Sequence, residues 1–275
     1  VAKEIKGVDP LKSSEREFAE AMEYMVDYMT RYIRNNVIGG LHQRTVAKFA
    51  DAKQIGNYAA VYLKLNRQAQ RKLLKRFGDK RLERLARDVL TKVSRRNAQQ
   101  IYTRAEDAIG TSAAELLKSE GLQYRINALV LETAQWAKKL RDETLEMYTA
   151  NALRVMSQGG SLEDLLEQFK GMEEKRKNHA KTVARTQVST FNSLVTKARA
   201  ENLGIKRAVW VTANDERVRG KPGGKYPNAK PNHWKLDGRE FDLDKGIEVN
   251  GRFLLPGTDY NCRCTYRLLL PDEGA

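Results

Sequence analysis

The 275 residues carry 50 Lys and Arg against 35 Asp and Glu, a formal charge of +15, with 41% hydrophobic and 31% charged side chains. That length suits one large or two ordinary domains with their own cores, the composition excludes collagen-like, mucin-like and low-complexity classes, and the spread of Leu, Val, Ile and Phe along the chain argues against disorder. The longest uncharged stretch, Thr186 to Thr196, has 11 residues, whereas a membrane-spanning helix needs about 20 apolar ones. The densely charged first residues lead us to expect no signal peptide. Two cysteines make no disulfide framework and suggest folding in a reducing cytoplasm.

The charge is unevenly spread. Residues 61–110 hold a net +9 and residues 181–275 a further +6. A basic stripe reads either as the footprint of a polyanion or as a solvated helix face balanced by an acidic protein neighbour.

In chain order, Ser14 followed by Glu17 resembles a capping box for a helix running to about Asn35, with Phe18, Met22, Met25, Met29 and Ile33 on one face. Gly39–Gly40 reads as a break, followed by a second helical stretch over about 42–77 that stops at Gly78. Asp79 then caps a long helix with Leu82, Leu85, Val89, Val93, Ile101, Ala105 and Ile109 along one stripe. Beside the apolar stripes, Lys64, Arg67, Arg71 and Lys75 recur at steps of three and four. Together with Lys72, Arg76, Arg84, Arg87, Arg95 and Arg96 they form the candidate polyanion contact. A further helical region covers 112–157 with an interruption at Gly121.

Ser161 to Asp164 forms a second capping box, opening a short helix from Leu162 to about Phe169. The next helix, about 173–202, turns Val183, Val188, Phe191, Leu194, Val195 and Ala198 inward and ends at Leu203–Gly204. Pro10 is the only proline before Pro222, and the last 54 residues hold five. The dense Pro and Gly there mark turns and short strands. Arg207 to Ala213 reads as a buried strand, Asn250–Gly251 as a hairpin turn, and Cys264 to Leu270 as a last strand. The resulting class is α+β: a mainly helical region, 1–154, followed by a small helix-plus-antiparallel-sheet domain, 155–275.

Both cysteines sit in Asn261-Cys-Arg-Cys264, with thiols on one face if the segment is extended. Cys262, Cys264 and His233, with Asp215 or Asp237 as a fourth ligand, have the donor types of a zinc site. The competing reading is two reduced thiols, one buried and one partly exposed, with a hydrogen-bonded histidine. A Cys262–Cys264 disulfide is strained at that spacing. His42 and His179 stand alone on helices.

From about 155 to 270 the sequence resembles the head morphogenesis domain of tailed phages, the Mu F-like minor head proteins. The resemblance is carried in order by Gly159-Gly-Ser161, Ala184-Arg-Thr186, Asn192, Trp210, Asp215-Glu-Arg-Val218, His233, Leu236-Asp-Gly238, Pro256–Gly257 and Asn261-Cys-Arg-Cys-Thr265. On that basis Arg185, Thr186, Asn192, Asp215, Arg217, Asp237, Gly238, Asn261 and Arg263 are motif residues. Arg185 is expected to satisfy loop carbonyls or to pair with a carboxylate such as Asp215. Many relatives carry Cys-x-x-Cys shortly after the Asp-x-Arg; here a basic insertion, Arg217 to Lys230, takes that place.

The resemblance implies a non-enzymatic structural protein of the virion. It would be made in the host cytoplasm and placed inside the head near the portal vertex. Its implied partners are the portal protein, scaffold or major capsid protein, double-stranded DNA bound non-specifically, and copies of itself around the portal. No membrane is implied. One alternative is a metal-dependent nuclease, hydrolase or toxin-like domain using His233, Asp215, Asp237 and Arg217. Another is a free non-specific DNA-binding protein.

Overall fold

The computed structural model describes residues 4–8, 12–45 and 55–270, without the side chains of 43–45 and 55–57. The helices are α1 (Lys12–Ile33), α2 (Gly39–Thr45), α3 (Ile55–Arg76), α4 (Asp79–Ile109), α5 (Ala113–Lys118), α6 (Gln123–Ser157) and α7 (Leu162–Asn202). One sheet contains β1 (Glu4–Ile5), β2 (Arg207–Val211), β3 (Glu240–Asp242) and β6 (Thr265–Leu269) in the order β1-β6-β2-β3, all antiparallel. A separate hairpin pairs β4 (Ile247–Val249) with β5 (Arg252–Leu254). The class is α+β. Among the described residues no helix is long and apolar enough to cross a membrane.

Phe18, Met22, Met25, Met29 and Ile33 are all buried, as the spacing on α1 requires. The cap expected at Ser14 is not there. The helix starts at Lys12, so Ser14 lies inside it, buried, with its hydroxyl unbonded. Gly39–Gly40 is no break either. A π-helical segment, Arg34–Ile38, leads directly into α2, and Gly39 is right-handed at φ −60°, ψ −40°. Glycine permits a turn without imposing one, and here buried Val37 and Ile38 hold the helical path. Of the stretch expected over 42–77, residues 46–54 lie outside the described residues. Asp79 is the first residue of α4 rather than its cap, since Gly78 O accepts from Arg81 and Leu82. Ile109, expected on the apolar stripe, is exposed.

Ser161 and Asp164 form the reciprocal capping box. Ser161 N donates to Asp164 Oδ2 at 2.7 Å, and Asp164 N donates to Ser161 Oγ at 3.1 Å. The two helices expected after it are one, 41 residues long. A glycine within a helix costs about 0.5–1 kcal/mol relative to alanine, too little at Gly171 to offset burial of Phe169 and Met172 beside it. Its end is as expected. Gly204 takes φ +71°, Ile205 N donates to Ala200 O and Gly204 N to Glu201 O, the paired bonds of a Schellman motif. Asn250 and Gly251, at φ +53° and +76°, make the left-handed two-residue turn between β4 and β5.

The chain divides into two compact units that are not consecutive halves. One comprises 1–17, 87–131 and 184–275; the other comprises 18–86 and 132–183. A boundary at 154/155 would fall inside α6, and the units instead change within long helices. In the first unit, Trp210, Phe241, Tyr266, Leu268 and Ile5 form a core between sheet and helix. Tyr266 secures this packing by donating to Ser193 O on α7 at 2.5 Å. β1 escaped sequence reading because two residues leave no period to detect. In the second unit, Tyr148 packs edge-on to Phe169 at 4.6 Å, and its hydroxyl meets Thr30 Oγ1 at 2.7 Å.

Candidate metal centre

The motif residues of α7 set the path of the Cys-x-Cys segment. Thr186 Oγ1 accepts from Asn261 N at 2.9 Å, while Arg185 Nη1 donates to Asn261 Oδ1 at 2.9 Å. Asn261 takes φ +54°, which asparagine tolerates better than most residues. Cys262 and Cys264 then turn inward and Arg263 turns to the half-exposed side, as an extended segment alternates. Gly257 is fixed by close approach. At φ +88°, a Cβ there would lie 3.0 Å from Ser189 Oγ on α7 and 3.2 Å from Cys264 O.

Arg185 does not pair with Asp215. Its Nε donates to Glu15 at 2.8 Å, and Arg263 takes Asp215 instead. Arg263 does so in two-pronged fashion, with Nη2 2.6 Å from Oδ1 and Nη1 on Oδ2. That geometry suits a guanidinium fork, and the hydrogen bond to Arg263 holds the Asp215 carboxyl below its ordinary range. Arg217 contributes its backbone N–H to Asp215 Oδ1 at 2.9 Å. Asp237 Oδ1 accepts from Thr212 N and Oγ1 at 2.7 and 3.0 Å, and Gly238 N donates to Trp210 O. Asn192 donates to Val8 O at 2.9 Å and accepts from Asn97. These residues organise loops and helix contacts.

His233, Cys262 and Cys264 do converge. Their donor atoms lie within 4.8 Å of one another, and the residues are 2%, 3% and 4% exposed. His233 Nδ1 is 3.5 Å from Cys262 Sγ and 3.7 Å from Cys264 Sγ. Neither Asp215 nor Asp237 joins them, because both carboxylates are committed to Arg263 and Thr212. Both thiols are buried and free, so neither is partly exposed and no disulfide links them. On the far side of the ring, His233 Nε2 is 3.3 Å from Asp259 Oδ2, and Arg219 Nη2 is 2.7 Å from the same oxygen. Trp210 stands edge-on to the imidazole, ring centres 5.5 Å apart.

Burial alone would raise the Asp259 carboxyl, but the His233 imidazole 3.3 Å away, which meets it without hydrogen-bond geometry, and the Arg219 charge hold it at about 2. Burial likewise disfavours the His233 cation; Asp259 and Cys262 outweigh that and raise its basicity. The hydrogen bond from Cys264 lowers Cys262 well below the ordinary thiol range, while that same bond and burial push Cys264 up.

The donor set fits zinc. With Zn–S about 2.3 Å and Zn–N about 2.0–2.1 Å, tetrahedral ligands sit about 3.6 Å apart, and the two nitrogen–sulfur separations here are 3.5 and 3.7 Å. His233 is enclosed, while the Asp215 and Asp237 carboxylates are engaged with Arg263 and Thr212. Sequence reading missed Asp259 and Arg219. Asp259 stands three residues before Cys262, and Arg219 lies in the basic insertion.

All ten candidate polyanion residues are exposed. Lys64, Arg67, Arg71, Lys72, Lys75, Arg76 and Arg84 belong to one unit, and Arg87, Arg95 and Arg96 to the other. Among the described residues, none of the ten forms a salt bridge with a carboxylate. Arg76 donates to Tyr24 Oη at 2.8 Å and lies 4.1 Å above the Tyr28 ring, and Arg87 donates to Asn127. Tyr24, Tyr28 and Tyr32, four residues apart on α1, continue this surface with ring centres about 6 Å apart.

Residues 132–267 match the family model described as Phage Mu protein F like protein. An uncharacterized protein of Haemophilus influenzae is 26% identical over 264 residues, covering 96% of this chain and 55% of its own length. The chain thus spans little more than half of that relative. No solved structure matches. The matched segment contains α7, the Arg185–Thr186 clamp and the whole His/Cys/Cys cluster. Over residues 132–267 the chain belongs to the Phage Mu protein F like family.

Proposed function

We propose that this chain is a structural minor head protein of a tailed phage, associated with the portal vertex and in non-specific contact with packaged DNA. The observation that carries the reading is the Phage Mu protein F like match over residues 132–267. It is supported by ten exposed Lys and Arg side chains without carboxylate partners among the described residues. Such side chains neutralise phosphates without reading bases, with non-specific dissociation constants on the order of 10⁻⁴ to 10⁻⁶ M at physiological salt. Scaffold or major capsid protein and further copies of the chain would be its other neighbours inside the head.

Co-expression with the cognate portal protein, followed by sedimentation, tests the reading. The chain is expected to travel with the portal ring at modest salt. Migration as a free species, away from an intact ring, overturns the portal assignment.

A further inference from the structure

We propose that His233 Nδ1, Cys262 Sγ and Cys264 Sγ bind one zinc-class divalent ion, and that Asp259 is the residue that positions the imidazole for it. This inference is independent of the head-protein reading. Two sulfurs and one imidazole nitrogen are borderline-to-soft donors, the set that zinc takes in preference to calcium or magnesium. The two nitrogen–sulfur separations match the edges of a zinc tetrahedron, and all three donor atoms lie within 4.8 Å of one another. All three residues are buried together, an environment in which bare thiols and an imidazole find few polar partners.

The two ring nitrogens divide the work. Nδ1 faces both sulfurs, and Nε2 faces Asp259, which Arg219 anchors at 2.7 Å. Asp259 therefore meets the ring on the side away from the sulfurs and cannot be a ligand. It faces Nε2 across 3.3 Å, outside hydrogen-bond geometry in this structure, and with an ion on Nδ1 it would take the Nε2 proton as its partner. Carboxylate–histidine–metal relays of this kind orient the ligand and raise its basicity. Charge closes locally as well: two thiolates match a divalent ion, and Arg219 balances Asp259. Both thiol protons leave to solvent on binding. Among the described residues no fourth protein donor joins the cluster.

Three pieces of chain converge here: the 3-10 turn that follows His233, the Asp259 turn, and the approach to β6. A metal joining them would staple a lobe whose strands are only three to five residues long in this region. Cys262, His233 and Asp259 also resemble a nucleophilic Cys-His-Asp arrangement. Burial of Cys262 at 3% exposure leaves no approach for a substrate, which favours the ion.

Elemental analysis of the purified full chain tests the proposal. About one zinc per chain is expected, falling to background in a Cys262→Ser/Cys264→Ser variant. Equal, substoichiometric zinc in both overturns it. Should that variant not fold, cobalt titration of the metal-stripped wild-type chain decides. A thiolate-to-cobalt charge-transfer band saturating at one equivalent supports the site, and no such band overturns it. Asp259→Asn should keep the cobalt spectrum but weaken zinc binding about 10–100-fold against a competing chelator. Unchanged affinity removes Asp259 from the scheme.

Discussion

Asp164 is fully exposed, so its acidity reports hydrogen bonding rather than burial. The backbone N–H of Ser161, then its side chain, holds the carboxyl below the ordinary 3.8. A folded-state value below the unfolded one means that the contribution to stability is present above about pH 4 and is lost as pH falls through the folded value. A carbon-detected titration of the side-chain carboxyl should give a midpoint below 3.8, and Asp164→Asn should flatten the acid-side loss of α7 structure. A midpoint at or above 3.8 would contradict the capping geometry. This cap was legible because its two partners are three residues apart and the signal is local. The partners of Asp215 and His233 were not. Arg263 lies 48 residues beyond Asp215, and the His233–Asp259 contact depends on how two Gly- and Pro-rich loops fold back. The donor types of the metal centre could be read from Cys262, Cys264 and His233; the choice among carboxylates could not.

At the scale of elements, two glycines associated with α7 should respond in opposite directions. Gly171 lies within the helix, exposed, and a Cβ there meets nothing within 4 Å. Gly171→Ala should therefore stabilise by about 0.5–1 kcal/mol, since alanine loses less conformational freedom. Gly204 has equal space but sits at φ +71°. Gly204→Ala should destabilise by about 1–2 kcal/mol, the cost of a left-handed conformation in a residue with a Cβ. Chemical denaturation of both variants checks the signs; stabilisation by Gly204→Ala would exclude the Schellman termination as drawn. The same contrast explains which boundaries were visible. Gly204, Gly121 and Gly251, which the sequence marks as stops or turns, coincide with positive φ. Gly39, Gly40 and Gly171 stay helical, because packing along α1, the π segment and α7 overrides a modest propensity cost.

For the whole molecule, the +15 charge acquires a location. The net excess over 61–110 is displayed on exposed faces of α3 and α4, and the substitutions that probe it touch no core residue. Replacing Lys64, Arg67, Arg71 and Lys75 together by glutamine should alter stability by less than about 0.5 kcal/mol per site. If this face contacts duplex DNA, affinity should fall equally for unrelated sequences. The slope of log affinity against log salt should shrink by about 0.9 for every phosphate contact removed, and so by at most about 3.6 for the four. A second variant, Arg87→Gln/Arg95→Gln/Arg96→Gln, tests the other unit separately, with a ceiling near 2.7 on the same basis. Conversion of the four α3 residues to whichever of Lys or Arg they are not should leave the slope in place, because phosphate neutralisation requires charge and not a particular fork. A slope unchanged by the glutamine variants would assign these faces to ordinary solvation or to an acidic protein neighbour. A loss confined to one DNA sequence would require base contacts, for which the exposed stripe on α3 offers no groove-reading motif.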